Sequence, residues 1–236
     1  MSVIADQVAK YDSLLCEAGP TVFTANGWRL MISAQSNTQL DGVAPPPGLV
    51  TKLLHLWEIP CFDSLPTVMA YAADNESYVV AQQLTIDEMQ NLYVALAWDD
   101  ALGLTDTSSG LFMVETLQVD NNIQKRYAFS QYMQLHAVYD MNTKYGWRIR
   151  FAGNASTGII DQYVQIWEVP SFQNLEPQIH EYRSDPSWGA VVTLVRTQLW
   201  NDHPLNCGAV LSQTTSQLQE VYDKKQAAAP AKPTAG

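Results

Sequence analysis

Short runs in which apolar and polar residues alternate recur along the chain, and each predicts a β-strand. They are "WRLMISA" (28–34), "KLLHLWEI" (52–59), "GLFMVETLQV" (110–119), "WRIRFAG" (147–153) and "QYVQIWEV" (162–169). Other stretches place apolar residues three and four apart, the spacing of a helix with one buried face. These are 61–74, 171–184 and the longer 124–145, where Phe129, Met133, Leu135 and Val138 mark the apolar stripe. Residues 76–98 read as further helical material, mirrored only in part by 189–200, and a last strand is expected at about 205–212.

The pattern is written twice. "GWRLMISA" (27–34) returns as "GWRIRFAG" (146–153), "LWEIP" (56–60) as "IWEVP" (166–170), and "YAADNESY" (71–78) as "YRSDPSW" (182–188), in the same order. Trp28 and Trp57 come into register with Trp147 and Trp167, and tryptophan is too rare for chance to explain that. Between the first two blocks the first half carries "NTQLDGVAPPPGL" (37–49) where the second has "NASTG" (154–158). The proline run fits a lengthened surface connection and no strand.

In the second half the order is strand, helix, strand, strand, helix, strand. That is the ferredoxin-like split β-α-β arrangement. The first half shows the same order except for its opening strand, since "MSVI" (1–4) is barely long enough and that strand is either missing or supplied differently. One such unit leaves one sheet face uncovered, and two units cover it by packing face to face. The expected fold is therefore α+β: two tandem ferredoxin-like β-α-β-β-α-β units packed sheet to sheet as an intramolecular α+β barrel. Residues 1–108 form the first repeat, 109–222 the second, and 223–236 a flexible tail rich in Ala, Pro and Lys.

Composition narrows the function classes. With 47% hydrophobic and 16% charged residues over 236 positions, the chain has the make-up of a globular protein. Its net charge of −11 speaks against nucleic acid as a partner, since a phosphate backbone calls for clustered Lys and Arg. No apolar run is long enough to span a bilayer, and the first residues lack the pattern of a signal peptide. Cys16, Cys61 and Cys207 are odd in number and without metal-ligand spacing, so reduced thiols in a cytoplasmic protein are expected. Phosphate-loop, zinc-helix and nucleophile-elbow motifs do not occur, and no cofactor or metal is implied.

The paired phrases "LLHLWEIP…AADNESY" and "VQIWEVP…RSDPSW", with "MVETLQVDNNIQKRYAFSQY" ahead of the second, resemble the NIPSNAP-like branch of the dimeric α+β barrel superfamily. Gln165 stands where the first half has His55, and Leu117 where the family often has arginine. The resemblance implies either a ligand-binding or accessory protein, or a cofactor-independent monooxygenase, cyclase or isomerase.

Strict alternation sorts the candidate residues onto the mixed faces of the strands. Arg29, Met31, His55, Trp57, Glu115, Arg148, Arg150, Tyr163, Gln165 and Trp167 would then line the space between the sheets. In the enzyme reading His55 is the acid/base, with Arg150 and Glu115 beside it and Arg148 sharing anion stabilisation. In the binding reading Arg29, Met31, Trp57, Arg148, Tyr163, Gln165 and Trp167 hold a hydrophobic or aromatic small molecule, anionic where the arginines meet it. Each residue also has a structural reading: His55 bonded to a carbonyl, the arginines paired with Glu58, Glu115 or Glu168, the tryptophans as packing. The expected partner is a small molecule between the two sheets, and the expected state a monomer with internal pseudo-twofold symmetry or a homodimer.

Overall fold

The computed structural model describes residues 1–36, 50–88, 91–98, 109–120, 122–157, 162–203 and 205–208. They fall into two compact units: Met1–Glu88 with the described residues from His203 onward, and Met89–Asp202. The connection read at 37–49 and the tail read at 223–236 lie outside the described residues. No described helix is long and apolar enough to cross a membrane.

The first unit runs β1 (Ser2–Ile4), α1 (Val8–Val22), β2 (Arg29–Ser36), β3 (Val50–Glu58), α2 (Ser64–Asp74), α3 (Glu76–Gln83) and β4 (Thr85–Asp87). Its antiparallel strands lie in the order β4-β1-β3-β2. The second unit runs β5 (Tyr93–Trp98), β6 (Leu111–Val119), α4 (Ile123–Tyr132), α5 (Val138–Tyr145), β7 (Arg148–Ala155), β8 (Gln162–Glu168), α6 (Leu175–Arg183), α7 (Pro186–Gly189) and β9 (Val192–Asp202). Here the order is β9-β6-β8-β7-β5, again antiparallel. Without the extra edge strand β5, the second unit places last, first, third and second strands side by side, as the first unit does.

Three expectations change. The stretch 76–98 is helical only through Gln83 and then forms β4 and β5. Strand β5, read from sequence as part of the first repeat, pairs with β7 of the second unit. The last strand is β9, where Val195, Thr197 and Leu199 stand opposite Leu117, Glu115 and Met113. Residues 205–208 form a turn, and 209–212 lie outside the described residues. Alternating β-branched residues in "VTLVRTQLW" carry this strand signal.

In both units helices cover one face of the sheet. Tyr11, Leu15 and Val22 of α1 and Val68 and Ala72 of α2 bury Leu30, Leu53 and Trp28. In the second unit Phe129, Met133, Val138 and Met141, with Leu175, Tyr182 and Trp188, bury Met113, Leu117, Ile149, Tyr163 and Trp167. Residues Met133–Ala137 join α4 to α5 as a turn of π-helix, so the predicted long helix carries one widened turn. The glycines of the two "GWR" phrases, Gly27 and Gly146, both end a helix in the left-handed conformation, with φ of 81° and 70°. Each turns the chain directly into a strand.

That strand is kinked at matching places. Arg29 stands opposite Glu58 and Leu30 opposite Trp57, after which Ile32, not Met31, meets Leu56. Likewise Arg148 stands opposite Glu168 and Ile149 opposite Trp167, and then Phe151, not Arg150, meets Ile166. Met31 and Arg150 are the extra residues of equivalent bulges, and a bulge reverses which face the following residues occupy.

The cysteines also depart from expectation. Cys16 on α1 and Cys207 form a disulfide although 191 residues separate them, while Cys61 is free. The fold brings their Cα atoms to 5.3 Å, a proximity that sequence spacing cannot reveal.

Candidate functional site

Helices, not the opposing sheet face, cover most of the candidate polar residues. Alternation separates two faces but does not say which one the helices take. The apolar sets Phe112, Val114, Val164 and Ile166 alternate with the helix-packed Met113, Leu117, Tyr163 and Trp167. Glu115, Tyr163, Gln165 and Trp167 therefore lie under the helices of the second unit, and Trp57 under those of the first. Arg29 and Arg148 take the other side, because the register sets them opposite Glu58 and Glu168 ahead of the bulges, and Arg150, at the bulge itself, reaches Glu168 as well.

In the second unit most of the candidate groups are engaged by their neighbours, although the buried Gln165 Nε2 has no hydrogen-bond partner among the described residues. Glu115 is completely buried and accepts hydrogen bonds from the Tyr182 hydroxyl and from Nη2 of Arg183. Arg183 Nη2 also donates to Thr197 Oγ1 at 2.8 Å, and its guanidinium lies 5.9 Å from the Tyr182 ring centre and 5.8 Å from that of Trp188. Burial, reinforced by the Glu115 charge, holds the Tyr182 phenol well above its ordinary pKa, so it remains a donor. Gln165 accepts from Trp167 Nε1 at 3.0 Å, and Trp147 Nε1 donates to Gln178 at 2.9 Å. Trp147, Trp167, Tyr182 and Trp188 pack edge to face with centre distances between 4.8 and 6.1 Å, which fills the interior. Burial also raises the Tyr163 phenol, whose ring meets Phe129.

On the other face Arg150 Nε lies 2.6 Å from Glu168, which also accepts the backbone N–H of Ser109. In the first unit Arg29 Nε lies 2.8 Å from Glu58. The glutamates of the repeated Trp-Glu phrase thus each hold an arginine of the preceding strand. Neither Arg29 nor Arg150 is a free anion-binding group.

The first unit holds a different arrangement. His55 on β3 stands directly opposite Ser33 on β2, on the helix-covered side that Trp57 and Leu53 also occupy. Ser33 Oγ and His55 Nε2 are both sealed from solvent, and neither has a hydrogen-bond partner among the described residues. Burial pushes the His55 imidazole down to a pKa of about 3, with His203 and the amino terminus adding to the effect, so the ring is neutral at physiological pH. The Tyr11 ring of α1 lies 6.1 Å from it. Trp57 joins Phe23 and Trp28 in an aromatic group with centre distances of 4.7 to 6.5 Å. Met31, at the bulge, is only partly buried.

Sequence reasoning singled out His55 and Glu115 but missed the residues that stand beside them. Tyr182 and Arg183 stood inside a quoted repeat block and carried a signal, a buried-type tyrosine next to arginine. Ser33 carried none until the bulge placed it across from His55. A groove of about 690 Å³ between α4–α5 and α6–α7 touches none of the sequence-predicted residues. It is lined by Tyr132, His136, Asp140, Lys144, Glu181 and Asp185 among others, with Lys144 paired to Glu181 at 2.6 Å. Its charged groups sit at the protein surface.

No protein-family model and no curated protein matches this chain. Among solved structures, the chain is similar to a candidate monooxygenase from Fusobacterium nucleatum subsp. nucleatum, with a TM-score of 0.50 and 10% identity over 85% of this chain and 89% of that one. A candidate monooxygenase from Lactobacillus acidophilus NCFM aligns at a TM-score of 0.48 and 10% identity, over 84% and 90%. The first likeness is one of α+β fold.

Proposed function

We propose that this chain is a small-molecule-binding protein of the dimeric α+β barrel type, built from two tandem ferredoxin-like repeats, with its ligand site at His55 and Ser33 in the first. The shared strand order and the matching bulges at Met31 and Arg150 support the tandem reading. The observation that carries the site is the pair of sealed polar atoms, Ser33 Oγ and His55 Nε2, with no partner. Leaving such atoms unpaired costs about 1–3 kcal/mol each, and a ligand hydroxyl or carbonyl reaching them recovers it. The surrounding Tyr11, Phe23, Trp28 and Trp57 suit an aromatic or otherwise hydrophobic body. The ligand's polar end is neutral, because the imidazole is uncharged and Arg29 is engaged by Glu58.

The unspent pair also favours a second reading, a cofactor-independent enzyme with His55 as acid/base. One solved structure of similar fold is of a candidate monooxygenase. General-base work near neutrality is best served by a pKa near 7. A ring held at about 3 is a hydrogen-bonding partner and a weak base, which ranks binding first.

Titration with 2-naphthol, a neutral aromatic alcohol, followed by tryptophan quenching, tests the proposal. Saturable binding that weakens about tenfold in His55→Ala, the worth of one good hydrogen bond, is expected. Equal binding by both proteins, or none by either, removes the site.

A further inference from the structure

A second, smaller cavity belongs wholly to the second unit. It holds about 60 Å³ and is lined by Val119 at the end of β6, Arg126, Phe129 and Ser130 of α4, Asn154 of β7 and Tyr163 of β8. That is room for a few water molecules or for one small organic ion. Its polar walls have donors left over. Arg126 Nη2 donates to Asn154 Oδ1 at 3.2 Å, which uses the Asn154 acceptor and leaves the amide nitrogen to donate. Ser130 Oγ accepts from Gln134 Nε2 at 3.5 Å, which leaves its hydroxyl hydrogen to donate. Tyr163 is buried, and burial holds its phenol above the ordinary pKa, so it keeps its proton. Charge points the same way. Arg29, Arg150, Arg183, Lys125 and Lys144 each lie against a carboxylate. Arg126 lies against a neutral amide, and among the described residues no carboxylate pairs with it. Asp120, close to it in the chain, is taken by Lys125 at 2.6 Å.

We propose that this cavity is a binding site for a short-chain monocarboxylate, whose oxygens accept from Arg126, Ser130 and Tyr163 and whose carbon end rests on Val119 and Phe129. One guanidinium balances one negative charge, and a carboxylate matches its planar fork. Phosphate near neutral pH carries more charge than a single arginine offsets. A neutral carbonyl would leave the guanidinium uncompensated. The apolar wall suits a methyl or ethyl group, since the Phe129 ring stands edge-on to that of Tyr163 with centres 5.4 Å apart. The site goes beyond the Ser33–His55 reading and does not draw on it.

The test is a titration of the full chain with sodium acetate at neutral pH, sodium chloride being withdrawn to hold the ionic strength constant. The arginine side-chain N–H resonances are followed by NMR, that of Arg126 being the one missing from Arg126→Gln. The expected result is a shift of this resonance that saturates, with a dissociation constant on the order of a millimolar for so small a ligand. Tyr163→Phe keeps the ring against Phe129 and removes one donor to a charged oxygen, so it should weaken binding by about tenfold or more. A shift that grows without saturating overturns the proposal, because the cavity then holds only water. Equal affinity in Tyr163→Phe overturns it too, since the acetate then meets Arg126 outside the cavity. Tighter binding of inorganic phosphate at the same resonance overturns the choice of a monocarboxylate. The probe and the resonance both differ from those of the 2-naphthol experiment, so the two results stand apart.

Discussion

Ser33 and His55 face each other across β2 and β3, and the buried Oγ of one and Nε2 of the other have no hydrogen-bond partner among the described residues. In the second unit Ala152 faces Gln165, whose Oε1 accepts from Trp167 while its buried Nε2 has no hydrogen-bond partner among the described residues. The first unit thus leaves a serine–histidine pair unpaired at this place, the second a single amide nitrogen.

The first prediction concerns acid stability. The folded-state pKa of His55, about 3, lies below the ordinary value of 6.5, so the unfolded chain takes up its proton first as pH falls. Its contribution to stability is complete above about 6.5 and is lost as pH falls from there through about 3, at up to about 1.4 kcal/mol per pH unit. His55→Gln, which copies the second unit's residue, should flatten that limb when urea unfolding is compared at pH 4, 5 and 6. An unchanged slope would mean that the ring is not held neutral.

A second prediction separates the members of the buried cluster. Arg183→Met leaves the Glu115 carboxylate buried without its cation and should cost about 3–5 kcal/mol. Glu115→Gln keeps a hydrogen-bond acceptor for Tyr182 and leaves a guanidinium that is partly exposed, so about 2 kcal/mol is expected. Chemical denaturation of the two variants should give that ranking, and the reverse order would contradict the cluster's assignment.

The face assignment shows why the sequence was only partly readable. Trp28, Trp57, Trp147 and Trp167 bring the recurring phrases into register, and the alternating runs marked β2, β3, β6, β7 and β8. Alternation then failed at Met31 and Arg150, because an extra residue in a bulge leaves no mark in the hydrophobic pattern. It also assumed that the more polar face avoids the helices. That assumption broke because Glu115 finds its partners, Tyr182 and Arg183, on helix α6 itself. The Cys16–Cys207 bond depends on residues far apart in the chain and could only be seen in the fold.

The paired Trp-Glu phrases carry a third prediction. Glu168 is nearly inaccessible and serves Arg150 and Ser109, whereas the side chain of Glu58 is 20% exposed beside Arg29. Glu168→Gln should therefore cost about 2–3 kcal/mol and Glu58→Gln about 1 kcal/mol. Parallel thermal or urea melts measure the difference. Equal costs would show that the phrase does the same structural work in both units.

The most direct measurement is the ¹⁵N resonance of the His55 ring, followed by NMR as pH is lowered and as 2-naphthol is added to the protein. The account predicts a ring that stays neutral at pH 5 and an Nε2 resonance that moves on ligand addition as a new hydrogen bond forms. A ring that titrates near 6.5, with an Nε2 resonance indifferent to the ligand, would contradict it.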